Sequence, residues 1–138
     1  MSEVERLNAT AEFRRALMQA PYHQWLGVEL TELREDGVAI ALHWREEFVS
    51  NIKVGATHGG ILAALIDLTG LYAIRAAGGS VAATADLRVD YHRPAVGGTV
   101  LAIGTVLKVG RRMSTADVRV IDGEQVLLAS GRGAYLAQ

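Results

Sequence analysis

Residues 57–76 read THGGILAALIDLTGLYAIRA, and this stretch decides the fold. Ile61 to Ile66 is apolar on every side of a helix, and Leu68, Leu71, Tyr72, Ala73 and Ile74 continue the pattern. We read a helix from about residue 59 to residue 76. A helix that is apolar all round is buried all round. In a chain of 138 residues a sheet must wrap it, or a second subunit must cover its other face. Asp67 stands in the middle of this run. An ionised carboxylate there is costly unless paired or hydrogen-bonded, and burial would raise its pKa and strengthen it as a base. The plainer alternative is that Asp67 caps a neighbouring helix or pairs with an arginine.

The start of the helix adds a second feature. Gly59 and Gly60 cost backbone entropy but let a ligand approach the main chain closely, so Gly60 is a candidate substrate-lining position beside Gly59. The free N–H groups of a helix N-terminus favour a carbonyl oxygen or a developing oxyanion. A glycine-rich turn with His58 as its cap is the competing reading.

Working outward, residues 1–20 carry an amphipathic helical pattern marked by Leu7, Phe13 and Leu17. Thr10 is a weak cap signal for a second start, and Pro21 is expected to stop the helix. Two strand-like runs, residues 28–33 and 38–44, flank Asp36-Gly37, a hairpin turn signal. An irregular segment, 45–57, leads into the central helix. After Gly78-Gly79 the period changes to two: Ala83, Ala85, Leu87, Val89 and Tyr91 alternate with Thr84, Asp86, Arg88 and Asp90, which predicts a half-buried strand. Further strands are expected at 99–108, 113–121 and 125–136, the last two joined by Asp122-Gly123. Consecutive strands after the helix are close enough in sequence to pair antiparallel. The expectation is a single α+β domain over 1–138, one curved antiparallel sheet packed on one dominant helix.

Composition narrows the function. Fourteen Lys and Arg stand against 15 Asp and Glu, so no global charge points to nucleic acid. The chain has no cysteine, which excludes disulfides, thiolate metal sites and cysteine nucleophiles. His23, His43, His58 and His92 are scattered without metal-ligand spacing, so no metal is expected. The N-terminal residues are charged throughout, unlike a secretory signal. Residues 61–74 form an apolar stretch too short for a bilayer and broken by Asp67. These features predict a cytoplasmic protein with no membrane partner.

With these residues in view, the chain resembles the hotdog-fold thioesterases, most closely the PaaI-like (phenylacetic acid degradation) branch. Residues 51–67, NIKVGATHGGILAALID, resemble that family's signature of Asn, a glycine, His-Gly-Gly and an acid inside the long helix. Residues 84–94, TADLRVDYHRP, resemble its following strand, and residues 108–112, KVGRR, its next hairpin. The likeness runs from about 22 to 136. It implies a curved sheet wrapped round a long helix and hydrolysis of an acyl-CoA thioester, with coenzyme A entering only as part of the substrate and no separate cofactor. Asp67 would activate water or attack the thioester directly, and the Gly59 N–H would polarise its carbonyl. Asn51 would orient the carbonyl or the water, His58 would support the helix start, and Thr84 would assist Asp67. Related branches place a glutamate on this helix, but no glutamate lies between Phe48 and Arg75 here.

Gly59 and Asp67 are eight residues apart, roughly 12 Å along one helix at about 1.5 Å per residue. Both cannot reach one thioester carbon within about 3–3.5 Å. A site shared between subunits follows: Asn51 and Gly59 from one chain, Asp67 and Thr84 from the other. The resemblance adds that such dimers often pair again into tetramers. Arg111 and Arg112, with Lys108 and Arg93, are candidates for the coenzyme A phosphates, against the alternative of a solvated basic hairpin. Two other functions stay open at this level. One is a hotdog hydratase or dehydratase, which would need a His–acid pair for proton transfer at carbon. The other is a non-catalytic acyl-CoA-binding or sensing module.

Overall fold

The computed structural model describes residues 2–138. Helix α1 (Glu3–Leu17) and the short α2 (Pro21–Leu26) lead into strands β1 (Glu29–Arg34) and β2 (Gly37–His43). A 3₁₀ turn and a small hairpin, β3 (Val49–Asn51) with β4 (Ala56–Thr57), precede the central helix α3 (Gly59–Ala76). Four strands complete the chain: β5 (Ala83–Tyr91), β6 (Thr99–Lys108), β7 (Met113–Ile121) and β8 (Leu127–Leu136).

Six strands form one antiparallel sheet in the order β1-β2-β6-β7-β8-β5, with α3 packed across it. This is the expected hotdog arrangement. Leu62, Leu65, Ile66 and Ile74 of α3 are buried against Val38 and Ile40 of β2, Val100 and Ala102 of β6, and Val118 and Val120 of β7. Each fully buried aliphatic side chain of this kind contributes about 1.5–3 kcal/mol. Alternation along the strands supplies the inner face, as in β7, where Ser114, Ala116, Val118 and Val120 point inward. By length and apolarity alone α3 could cross a membrane, so length does not exclude a span; here it is the helix the sheet wraps.

Several local expectations change. The N-terminal cap is Ser2, in a capping box with Glu5, while the Thr10 hydroxyl bonds back to Arg6 O. Helix α1 ends at Leu17, and Pro21 opens α2 at its first turn, where its missing N–H costs nothing. Leu7 stays exposed; Phe13 and Leu17 carry the packing, Phe13 edge-on to Tyr72 at 5.6 Å. The first hairpin turns on Glu35-Asp36, and Gly37 begins β2 paired with Arg34; an added Cβ at Gly37 would meet Gly104 O. Asp122-Gly123 is not a two-residue turn. Asp122 Oδ1 accepts the N–H groups of Glu124 and Val126, and Gln125 takes φ 65°.

The largest correction concerns β5. It does not pair with its sequence neighbour β6 but crosses to the far edge beside β8. Only Leu87 and Val89 of its expected apolar face are even partly covered; Ala83, Ala85 and Tyr91 are exposed. Within one chain, helix α3 keeps one face uncovered, the face that the sequence reading leaves to a second subunit. Gly60 and Arg75 are exposed and Ala63, Ala64, Asp67 and Leu71 only partly buried, a continuous stripe along one face.

Candidate active site

The two glycines and His58 build the first half of the site. His58, with φ −55° and ψ 134°, caps α3, and its Nδ1 accepts the Gly60 N–H at 2.7 Å. Its neutral ring therefore carries the proton on Nε2. Its backbone N–H donates to Phe48 O at 2.7 Å, and its carbonyl accepts from Ile61 and Leu62. The Gly60 N–H is thus occupied, which removes it as a donor to a ligand. The Gly59 N–H has no acceptor among the described residues. It stands at the positive end of an 18-residue helix. Tyr91, from the end of β5, donates its hydroxyl to the Gly59 carbonyl at 2.6 Å. A Cβ on Gly59 would lie 3.2 Å from Tyr91 Cζ and Oη, so this close approach calls for glycine.

Asp67 forms the second half. It lies on the uncovered stripe of α3, partly buried, and Oδ1 accepts the Thr84 hydroxyl at 2.8 Å. No cation pairs with it among the described residues, and it caps no helix, so the plainer reading of this carboxylate is not what the structure shows. Beneath it, the fully buried Tyr135 donates to the Asp67 backbone carbonyl at 2.9 Å. Burial, then the charge and hydrogen bonding of Asp67, push the Tyr135 phenol well above its ordinary pKa. Tyr91 and Tyr135 both escape a reading from sequence, where they pass as apolar positions in strands. Gly70 and Gly133 are a signal for Tyr135, since an added Cβ at either would meet its hydroxyl.

The remaining candidates are distributed unevenly. Asn51 sits on the β3–β4 hairpin, and its Oδ1 accepts the Lys53 N–H at 3.1 Å. Its amide oxygen is thus engaged in its own turn. Lys108, Arg111 and Arg112 are exposed at the β6–β7 hairpin, at the end of the sheet where Met113 pairs with Leu136 and Leu136 with Ala83, next to Thr84. Arg93 follows Tyr91 at the other end of β5, about 26 Å away at roughly 3.3 Å per residue. One chain therefore does not gather the four cations. Arg111 and Arg112 share an end with Asp67, and Arg93 shares an end with Gly59.

A groove of about 410 Å³ lies elsewhere, on the outer face of the sheet among Arg88, Asp90, Asp117, Arg119 and Arg132. Among the described residues no three His, Asp or Glu side chains cluster as metal ligands.

Comparison with known proteins bears on this geometry. The family model described as "Thioesterase superfamily" matches residues 54–129, which contain both halves of the site. The X-ray structure of a protein from the thioesterase superfamily shares 41% identity and a TM-score of 0.89, covering 95% of this chain and 99% of that one. Zebrafish thioesterase superfamily member 2 shares 27% identity at TM-score 0.77, covering 94% and 96%. The E. coli PaaI protein, from the phenylacetic acid degradation operon, shares the fold at TM-score 0.83 and 20% identity, covering 99% and 96%. No curated protein sequence matches.

Proposed function

Since the chain belongs to the thioesterase superfamily, we propose that it hydrolyses an acyl-CoA thioester to the free acid and coenzyme A. The observation that carries this reading is the placement of two complementary groups on one helix. The Asp67 carboxylate is held by Thr84 on an uncovered face, and the Gly59 N–H is left without an acceptor at the helix start. As a base, Asp67 takes a proton from water as the water oxygen bonds to the thioester carbon. The carbonyl oxygen becomes an oxyanion on the Gly59 N–H. Collapse breaks the C–S bond, and the proton passes to the departing thiolate. As a nucleophile, Asp67 would instead form an acyl anhydride that water opens. Oriented donors for the oxyanion are worth a factor of about 10²–10³ each.

The site is completed by a second copy of the chain. Strand β5 is an unpaired edge that carries Thr84 near one end and Tyr91 at the other, touching Asp67 and Gly59 respectively. An unpaired edge is a template for another strand. Antiparallel pairing of two β5 edges runs the strands in opposite directions, so the Thr84 end of one chain lies beside the Tyr91 end of the other. Asp67 of each chain then approaches Gly59 of its neighbour, and a two-fold axis gives two sites per pair. Further pairing into a dimer of dimers, and a cytoplasmic setting, belong to the same proposal. In this arrangement Arg111 and Arg112 flank the Asp67 end and meet the coenzyme A phosphates.

His58 spends Nδ1 on the helix start and stands nine residues from Asp67, which disfavours a hydratase pair. The test is a panel of aromatic, short-chain and medium-chain acyl-CoAs followed by release of free thiol. Turnover of one class supports hydrolysis. Tight binding across the panel with no thiol release would instead make the chain a binding module.

A further inference from the structure

The geometry points to Tyr91 as a positioning residue for the Gly59 N–H donor. This role rests on the thioesterase reading and extends it to a residue on the edge strand. The main-chain groups next to that N–H are tied down. The carbonyl of the His58–Gly59 peptide accepts from Ile61 at 3.0 Å and Leu62 at 3.3 Å. The next peptide, Gly59–Gly60, is held at both ends: its N–H donates to His58 Nδ1 at 2.7 Å, and its carbonyl accepts the Tyr91 hydroxyl at 2.6 Å. Two successive glycines have the widest backbone freedom of any pair, so this peptide plane is the one most prone to rotate. The His58 ring is short and local. Tyr91 reaches in from another element and ties the glycine pair to the sheet. Its ring also packs on the Gly59 Cα, where an added Cβ would come within 3.2 Å. What remains without an acceptor among the described residues is the Gly59 N–H, and a donor held in place in this way costs no reorganisation during reaction.

Tyr91 is 54% exposed and outside the core, so Tyr91→Phe removes one hydroxyl and little packing. Steady-state kinetics on an acyl-CoA the unaltered protein turns over should show kcat reduced about tenfold, short of the 10²–10³ for losing a donor outright, with KM nearly constant. Binding is measured in parallel for two non-hydrolysable coenzyme A compounds: a ketone with CH₂ in place of sulfur, and a thioether with CH₂ in place of the carbonyl. The unaltered protein should favour the ketone. Tyr91→Phe should narrow that preference and leave thioether affinity unchanged, a split that a merely structural role would not produce. If the Phe variant melts below the assay temperature, the same pair of ligands is applied to Tyr91→Gln. Unchanged kcat together with unchanged ketone preference overturns the role of Tyr91 alone. Absence of thiol release by the unaltered protein on every substrate overturns the thioesterase reading and this role with it.

Discussion

The Thr84 hydroxyl reaches from an edge strand to Asp67 Oδ1 on the central helix at 2.8 Å. The bond fixes one carboxylate oxygen, leaving Oδ2 for water or substrate. Asp67→Asn should therefore lower kcat by about 10²–10⁴, with the thermal midpoint close to the unaltered value. Thr84→Val should cost about tenfold, the scale of one hydrogen bond to a charged group, and Thr84→Ser should recover most of it. A folded Asn variant with near-normal turnover would remove Asp67 from the chemistry.

Tyr135 packs its hydroxyl against Gly70 and Gly133 while donating to the Asp67 carbonyl. Gly70→Ala should destabilise the fold by about 1–3 kcal/mol through overpacking, measured by urea denaturation. In a Tyr135→Phe background the penalty should shrink, because the colliding oxygen is gone; additive losses would show that the two do not meet. The same tyrosine gives a pH signature. Its folded pKa is raised, first by burial and then by Asp67. A raised folded pKa means the contribution is fully present below the unfolded value of about 10 and is lost as pH climbs above it. Alkaline melting curves should fall less steeply for Tyr135→Phe than for the unaltered protein.

The parts of the fold legible in the sequence are those set by local periodicity. Helix α3 and strands β5, β6 and β7 begin and end where apolar spacing and glycine punctuation put them. Pairing was not legible in the same way. The period-2 pattern of β5 marks it as a strand but cannot say that its neighbour is β8, because register is a long-range choice among several apolar faces. Turn residues misled for a related reason: Gly37 is glycine to admit Gly104 O, not to supply a turn conformation. At the site, His58, Gly59, Asp67 and Thr84 stand out by chemistry. The two tyrosines do not, since a phenol in a strand shows its hydroxyl partner only in three dimensions.

Arg111 and Arg112 are exposed, outside any ion pair among the described residues, and at the Asp67 end of the sheet. Arginine suits bidentate phosphate contact. Replacing both with alanine should raise KM for an acyl-CoA about tenfold or more, at roughly 1.5–3 kcal/mol for a lost charge-assisted bond. KM for the matching acyl-pantetheine, which lacks the nucleotide, should barely move. Equal effects on both substrates would mean the pair does not read the nucleotide end.

The proposed sharing of the site between two copies makes the most demanding prediction, because it concerns chains rather than residues. Gly59 and Asp67 are separated by about 12 Å along α3, while their strand contacts Tyr91 and Thr84 sit at opposite ends of β5. Only an antiparallel second copy turns both separations into proximity. Asp67→Asn damages one half of each site. Gly59→Pro damages the other by removing the N–H; His58, at ψ 134°, already has the extended conformation a following proline requires, and the first helical turn tolerates proline. The Tyr91 ring must shift to admit it, so folding of this chain is checked by melting. Each homodimer should be inactive. In the mixed dimer one interface holds an intact Gly59 and an intact Asp67, and the other holds neither. About half the activity of an unaltered dimer should therefore return in purified heterodimer, carried on two different affinity tags. Verified heterodimers without recovery, or a monomer that keeps full turnover on dilution, would place the whole site within one chain.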